Sequence, residues 1–229
     1  MCGRFAFYSP DEAVIRLFDV TDIAPNEARY NLAPTQNIPV LRVDPEGARQ
    51  VVPLRWGLVP FWAKDSSIGN RMINARAETV AEKPAFRRAF AGRRCLVLAS
   101  GFYEWQRIGE RKQPFYITRE DGDPFAMAGL WESWRDRAAP DADPLETCTI
   151  VTTGPNALMA QIHSRMPVIL DRAAIGLWLD TGQSADSLAG LLVPSRDKSF
   201  IAVPVSTRVN NARNEGADLI EPVGRAVHG

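Results

Sequence analysis

Apolar and polar residues alternate along this chain in many short runs, and few of the runs reach helical length. Residues 3–8 carry Phe5 and Phe7 on one side, the period-two signature of a strand. Ser9-Pro10-Asp11-Glu12 reads as a capping box with proline at the first helical position, opening a helix over 12–18 that buries Val14, Leu17 and Phe18. Residues 29–35 are irregular, and strands are predicted at 38–43 and 51–56. A second capping box at 79–82 predicts a helix in which Phe86 and Phe90 share one face while Arg87 and Arg88 point outward. A buried strand is predicted over 95–100. Turns at Gly109-Glu110 and Asp121-Gly122-Asp123-Pro124 then join three further runs into an antiparallel meander. Residues 138–143 read as a poorly ordered insertion. Beyond them, strands at 147–153 and 166–170 flank a short helix over 155–162. Asp171 and Ser184 open helices running to 179 and 192, and 200–205 is the last strand. About nine or ten strands with peripheral helices predict a single α+β domain on a curved, mostly antiparallel, barrel-like sheet. The core is expected over about 2–210, with 211–229 a solvated tail. The lack of strand–helix–strand alternation argues against a doubly wound fold.

Composition narrows this picture only slightly. Of the 229 residues 45% are apolar, an ordinary globular level. Lysine plus arginine and aspartate plus glutamate each total 27, so the formal charge is zero and any nucleic-acid site must be a local basic groove. The three cysteines, Cys2, Cys95 and Cys148, show no CxxC spacing, which speaks against a disulfide framework or a zinc site. Cys95 and Cys148 lie in apolar strand-like runs and read as core. Of two histidines, His228 is next to the end, leaving His163 for the folded body. No run approaches ~18 apolar residues and no signal-peptide segment opens the chain. The expectation is a reduced, soluble, cytoplasmic monomer without cofactor, metal or membrane contact.

Candidate chemistry concentrates at the start. Cys2 follows the initiator Met1 and is small enough for that methionine to be removed. The product would carry an α-amine and a thiol on one residue, the pair that condenses with an aldehyde to a thiazolidine ring. Position alone also fits a frayed terminus without function. Glu104, in Phe102-Tyr103-Glu104-Trp105, is flanked by large rings that would desolvate its carboxylate and suit it to proton transfer; an outward-facing strand glutamate is the alternative. His163 reads either as a proton donor or as a histidine at a helix C-terminus. Asn74 and Arg76 sit beside apolar Met72 and Ile73, where a surface loop fits equally well. Arg4, Arg76 and Arg165 are candidate phosphate clamps. The loop Trp56-Gly57-Leu58-Val59-Pro60-Phe61-Trp62 is either a core plug or a stacking surface.

Six segments occur in an order that resembles one family: CGRF at 2–5, NLAPT at 31–35, WGLVPFW at 56–62, NARAET at 74–79, GFYEW at 101–105 and HSRMPVIL at 163–170. The chain is similar over roughly residues 2–210 to the SRAP (SOS response-associated peptidase) family of abasic-site-processing proteins. That resemblance implies an SRAP fold and a shielding reaction on damaged single-stranded DNA. Met1 is removed, by self-processing in some members, and Cys2 forms a thiazolidine crosslink with the aldehyde of an abasic site. By motif, Glu104 is the general acid/base, His163 assists ring opening and crosslink reversal, and Asn74 orients the Cys2 amine or the sugar. Arg4, Arg76, Arg165 and Thr152 are placed toward the DNA backbone, and Trp62 toward neighbouring bases. The resemblance also implies a DNA-associated location at the nucleoid. Two other classes compete. An N-terminal-nucleophile amidohydrolase also begins Met-Cys-Gly, but Arg55-Trp56-Gly57 is not followed by the threonine-histidine-glycine expected there. A passive single-strand-binding module would bind without covalency and release in high salt.

Overall fold

A computed structural model describes residues 2–25 and 27–229. In chain order the elements are β1 (Phe5–Phe7), α1 (Asp11–Phe18), β2 (Asp22–Ile23), β3 (Arg29–Leu32), β4 (Asn37–Val43), β5 (Arg49–Trp56) and β6 (Asn74–Arg76). Next come α2 (Arg87–Gly92), β7 (Arg94–Ala99), β8 (Gly101–Ile108), β9 (Arg111–Arg119), β10 (Phe125–Trp134) and β11 (Leu145–Thr153). The last are α3 (Ala157–Ala160), β12 (Met166–Pro167), β13 (Ile169–Leu170), α4 (Arg172–Leu179), α5 (Ala185–Ala189), β14 (Phe200–Pro204) and β15 (Val227–His228).

The fold is a single α+β domain of two sheets. One runs β15-β14-β9-β8-β1-β3. The other contains β11-β10-β7-β4-β5, and β11 pairs back onto β5, which closes those five strands into a barrel. Closure removes the exposed edges that an open sheet would present. Most pairings are antiparallel, but β11 runs parallel to both β5 and β6. Two barrel strands are buried on both faces: every residue of β7 is buried, and so are the first six of β10. Such strands read as continuous apolar runs, since neither face meets water.

Several local expectations needed the tertiary structure to correct them. The expected meander does not continue past β9, because β10 leaves that sheet to pair with β7 in the barrel, and β14 takes the vacated edge. The Ser9 capping box does not form. Helix α1 begins at Asp11 with Pro10 at its N-cap, while Ser9 Oγ lies 2.8 Å from Ser100 Oγ on the adjoining strand connection. The helix expected from 79 is replaced by turns, with helix only from Arg87. Pro84 lies in that span and lacks the N–H that helix propagation needs. Phe86 and Phe90 are nonetheless both buried. Asp171 and Ser184 do cap α4 and α5, accepting from Ala174 N–H and Ser187 N–H, although α5 ends early, at Ala189. The segment after 210, expected to be solvated, is docked. Asn31 Nδ2 donates to the Asn211 and Asn214 carbonyls, Leu219 is fully buried, and β15 pairs with β14. No sequence periodicity signals such docking, because its hydrogen bonds come from a residue 180 positions away.

The feature that positions the site is β1. It lies between β3 and β8, so both of its backbone edges are hydrogen-bonded. Phe5 and Phe7 face the main core and Ala6 a second cluster around Tyr103 and Tyr116, as alternation dictates. Phe5 meets the Trp56 ring edge-on at 5.3 Å between centroids. Burying each of these phenylalanines is worth about 1.5–3 kcal/mol. Residues 5–7 are therefore a central strand and not a frayed end.

Candidate functional site

Cys2 stands three residues before β1 and has no exposed surface. The β1–β8 register places Phe5 opposite Phe102, and Tyr103 N–H donates to the Arg4 carbonyl at 2.9 Å. Continuing that ladder brings Glu104, fourth residue of β8, beside the Cys2-Gly3 segment. Glu104 is buried, and its negative charge reaches the Cys2 thiol. Burial pushes that thiol above its ordinary value, the Glu104 charge adds to the rise, and the Arg4 backbone N–H partly opposes it.

Asn74 arrives from a different sheet. It opens β6, which is held parallel to β11 through Ile150↔Asn74, Val151↔Ala75 and Thr152↔Arg76. From there Asn74 Nδ2 donates to the Cys2 carbonyl at 2.8 Å. Its Oδ1 is buried and has no hydrogen-bond partner among the described residues, which leaves an amide acceptor beside Cys2. The surface-loop alternative for Asn74 is thus replaced by a short strand joined to the N-terminus.

His163 follows α3. Its Nδ1 lies 3.0 Å from the Arg165 N–H, which donates to it, and 3.3 Å from the Arg165 carbonyl, so the ring is held at the Nδ1 edge by one residue. The α3 end is tied to the strand that carries Glu104, because Gln106 Nε2 donates to the Gln161 carbonyl at 2.7 Å. Gln106 had no role in the sequence reading. Its spacing of two from Glu104 is the available signal, since both then lie on one face of β8.

Arg76, Thr152 and Arg165 form a neighbouring group. Arg76 is exposed at the end of β6. Arg165 donates from Nη2 to the Thr152 carbonyl (2.6 Å) and Thr152 Oγ1 (3.3 Å), and both of its Nη atoms bond the Glu78 carboxylate. Arg4 differs, because its Nη1 is committed inward to Asn31 Oδ1 (2.8 Å) and the Val209 carbonyl (2.7 Å), and burial lowers its pKa. Asn31, the buried first residue of the NLAPT segment, was not singled out by sequence. It joins Arg4 to the C-terminal segment. The aromatic loop divides: Trp56, Leu58 and Val59 are buried, whereas Phe61 (47% exposed) and Trp62 (41%) face outward. Trp62 Nε1 bonds the Pro84 carbonyl at 3.5 Å, and Arg88 lies over the Phe61 ring at 4.1 Å. The core-plug reading therefore holds for the first half of this loop, and the second half is turned to the surface.

Among the described residues no cluster of three His, Cys, Asp or Glu side chains could hold a metal, and no helix is long and apolar enough to cross a membrane. Cys95 and Cys148 are buried free thiols in the barrel. The family profile for SOS response associated peptidase (SRAP) matches residues 1–212. The chain belongs to the SRAP family. It is 44% identical over 226 residues to the abasic site processing protein YoaM of Bacillus subtilis, covering 96% of this chain and 98% of that one. It is 34% identical over 233 residues to the abasic site processing protein YedK of Escherichia coli, covering 97% and 100%. A crystal structure of a protein from Bacteroides thetaiotaomicron shares the SRAP fold seen here, with TM-score 0.78, 28% identity and 86% coverage of either chain.

Proposed function

We propose that the chain processes abasic sites in single-stranded DNA by covalent capture at Cys2. The observation that carries this reading is the meeting of Cys2, Asn74 and Glu104, residues far apart in sequence, at the N-terminal segment. The family relatives named for abasic site processing support the substrate class. Hydrolysis of the Met1–Cys2 bond, consuming one water, comes first and releases the Cys2 α-amine; Met1 itself lies outside the described residues. The amine adds to the aldehyde carbon of the ring-opened sugar, oriented by Asn74, whose Oδ1 accepts a hydrogen bond from the amine N–H. Glu104 takes up the protons that the amine sheds and passes them to the departing oxygen, so that the carbinolamine loses water to become an imine. The Cys2 thiol then adds across that imine, its sulfur bonding to carbon and its proton passing to nitrogen, which closes the thiazolidine. The capture itself releases one water. Because the thiol is held protonated by burial and by Glu104, the amine is the first nucleophile and sulfur the second.

An abasic aldehyde is electrophilic only after its ring opens. The Nε2–H of His163 is the donor suited to the ring oxygen, and the same group serves reversal. Arg76 and Arg165 hold the flanking backbone; Thr152, fully buried, does not reach the DNA and instead fixes Arg165, and Arg4 keeps the Cys2 segment in place through Asn31. Trp62 offers a π-face to a neighbouring base, a contact that every base can make. The test is incubation of the purified protein with a single strand carrying one abasic site, followed by a denaturing gel. A shifted band that is lost in Cys2→Ala supports the reading. Its absence, with Cys2 confirmed by mass spectrometry as the first residue, would refute it, and binding that disappears in denaturant would assign a passive module instead.

A further inference from the structure

Glu78 belongs to the NARAET segment but has no part in the reaction just described. It stands at the end of β6, past Arg76, and its carboxylate meets the Arg165 guanidinium fork-to-fork: Nη1 with Oε1, and Nη2 with Oε2 at 3.1 Å. The two partners are not equally fixed. Arg165 is only 18% exposed and is pinned by the Thr152 carbonyl at 2.6 Å, whereas the Glu78 side chain is 53% exposed and turned to solvent. A carboxylate that bonds a guanidinium through two oxygens has the geometry of a phosphate bonded through two non-bridging oxygens. We propose that Glu78 is a built-in phosphate mimic, filling the Arg165 fork until a DNA phosphate displaces it. This rests on the reading of Arg165 as a backbone contact.

The displacement has a clear physical direction. Arg165 keeps its place, since it directly precedes β12 and the Thr152 carbonyl holds its guanidinium, and Glu78 rotates out into water, where an exposed carboxylate is well solvated. The carboxylate is held ionised by its bond to Arg165, so the fork is filled throughout the neutral range. A ligand offering one phosphate must break this pair for a single contact and gains little. A strand that also engages Arg76 and the N-terminal cluster recovers the loss over several contacts. Glu78 therefore lowers affinity for short or undamaged ligands and leaves retention to the covalent step.

The test uses equilibrium anisotropy with an unmodified oligodeoxythymidine, which has no aldehyde and cannot crosslink. Wild type, Glu78→Gln, Arg165→Gln and the double variant are compared at one low salt concentration, with melting curves confirming that each is folded. Glu78→Gln should bind about three- to fivefold more tightly than wild type, the scale of an exposed ion pair. Arg165→Gln should bind more weakly, and adding Glu78→Gln to it should change nothing. Equal or weaker binding by Glu78→Gln overturns the proposal. So does an equal gain in the Arg165→Gln background, which would mean a general loss of negative charge and not release of the fork. If wild type binds and crosslinks DNA but either of those results appears, only this inference falls. If no variant binds a single strand at all, the proposed function falls with it.

Discussion

Asn74→Ala is the most direct perturbation of the candidate site. The side chain contributes one hydrogen bond to the N-terminal segment, from Nδ2 to the Cys2 carbonyl at 2.8 Å. Removing the donor leaves the carbonyl of a fully buried residue unsatisfied, at a cost of about 1–3 kcal/mol. Expressed in the orientation of the Cys2 amine at the transition state, that cost slows crosslinking by about 5- to 150-fold. The backbone of β6 is unaffected, because its ladder to β11 uses main-chain groups that alanine retains. The assay is single-turnover crosslinking to an abasic strand at saturating DNA, with the mature N-terminus verified for each protein. Asn74→Asp serves as a second variant, since its carboxylate is of similar size but cannot donate; it should be as slow as alanine. A crosslinking rate within about twofold of wild type for Asn74→Ala would refute the reasoning, because the bond would then be structural decoration. A fast Asp variant would separately show that donation to the carbonyl is not what matters.

Two further outcomes follow from the core around the site. Burial raises the pKa values of Cys2, Cys95, Cys148, Tyr103 and Tyr116, so the folded chain keeps protons that the unfolded chain gives up. Stability from these groups is complete below the unfolded thiol value of about 8.5 and is lost as pH rises beyond it. The melting temperature should be level from about pH 7 to 8 and fall above about 9; a level profile to about pH 10.5 would contradict this. Gly101→Ala should destabilise the protein by about 1–3 kcal/mol, measured by urea unfolding, because a Cβ there would lie 2.2 Å from Tyr116 Cζ on a ring already buried against its neighbours. Unchanged stability would mean that the Tyr116 ring can move aside.

Much of the architecture could be read before any coordinates. The apolar runs at 95–100 and 147–153 are the barrel strands β7 and β11, and their two cysteines are core residues. Caps at Asp171 and Ser184 worked because a side-chain acceptor next to the first helical N–H groups is a local device. The same pattern failed at Ser9, whose hydroxyl found Ser100, 91 residues away, once β1 had brought the two together. It failed again at 79–82, where Pro84 interrupts. Whether β10 stays beside β9 or crosses to β7 is likewise invisible locally, since the turn at Gly122 allows either.

By itself the sequence determined which residues carry reactive groups and the order of the motifs. It named Cys2, Asn74, Glu104 and His163 as chemistry in search of a place. Only the tertiary structure decided that β1 is a central strand, which seats Cys2 against Glu104 and turns a chain terminus into a buried position. It alone put Asn74 within 2.8 Å of Cys2, committed Arg4 inward, split the aromatic loop into core and surface halves, and set Glu78 in the Arg165 fork. The reason is distance along the chain: periodicity and caps report contacts a few residues apart, whereas each of these contacts joins segments brought together only when the sheets form.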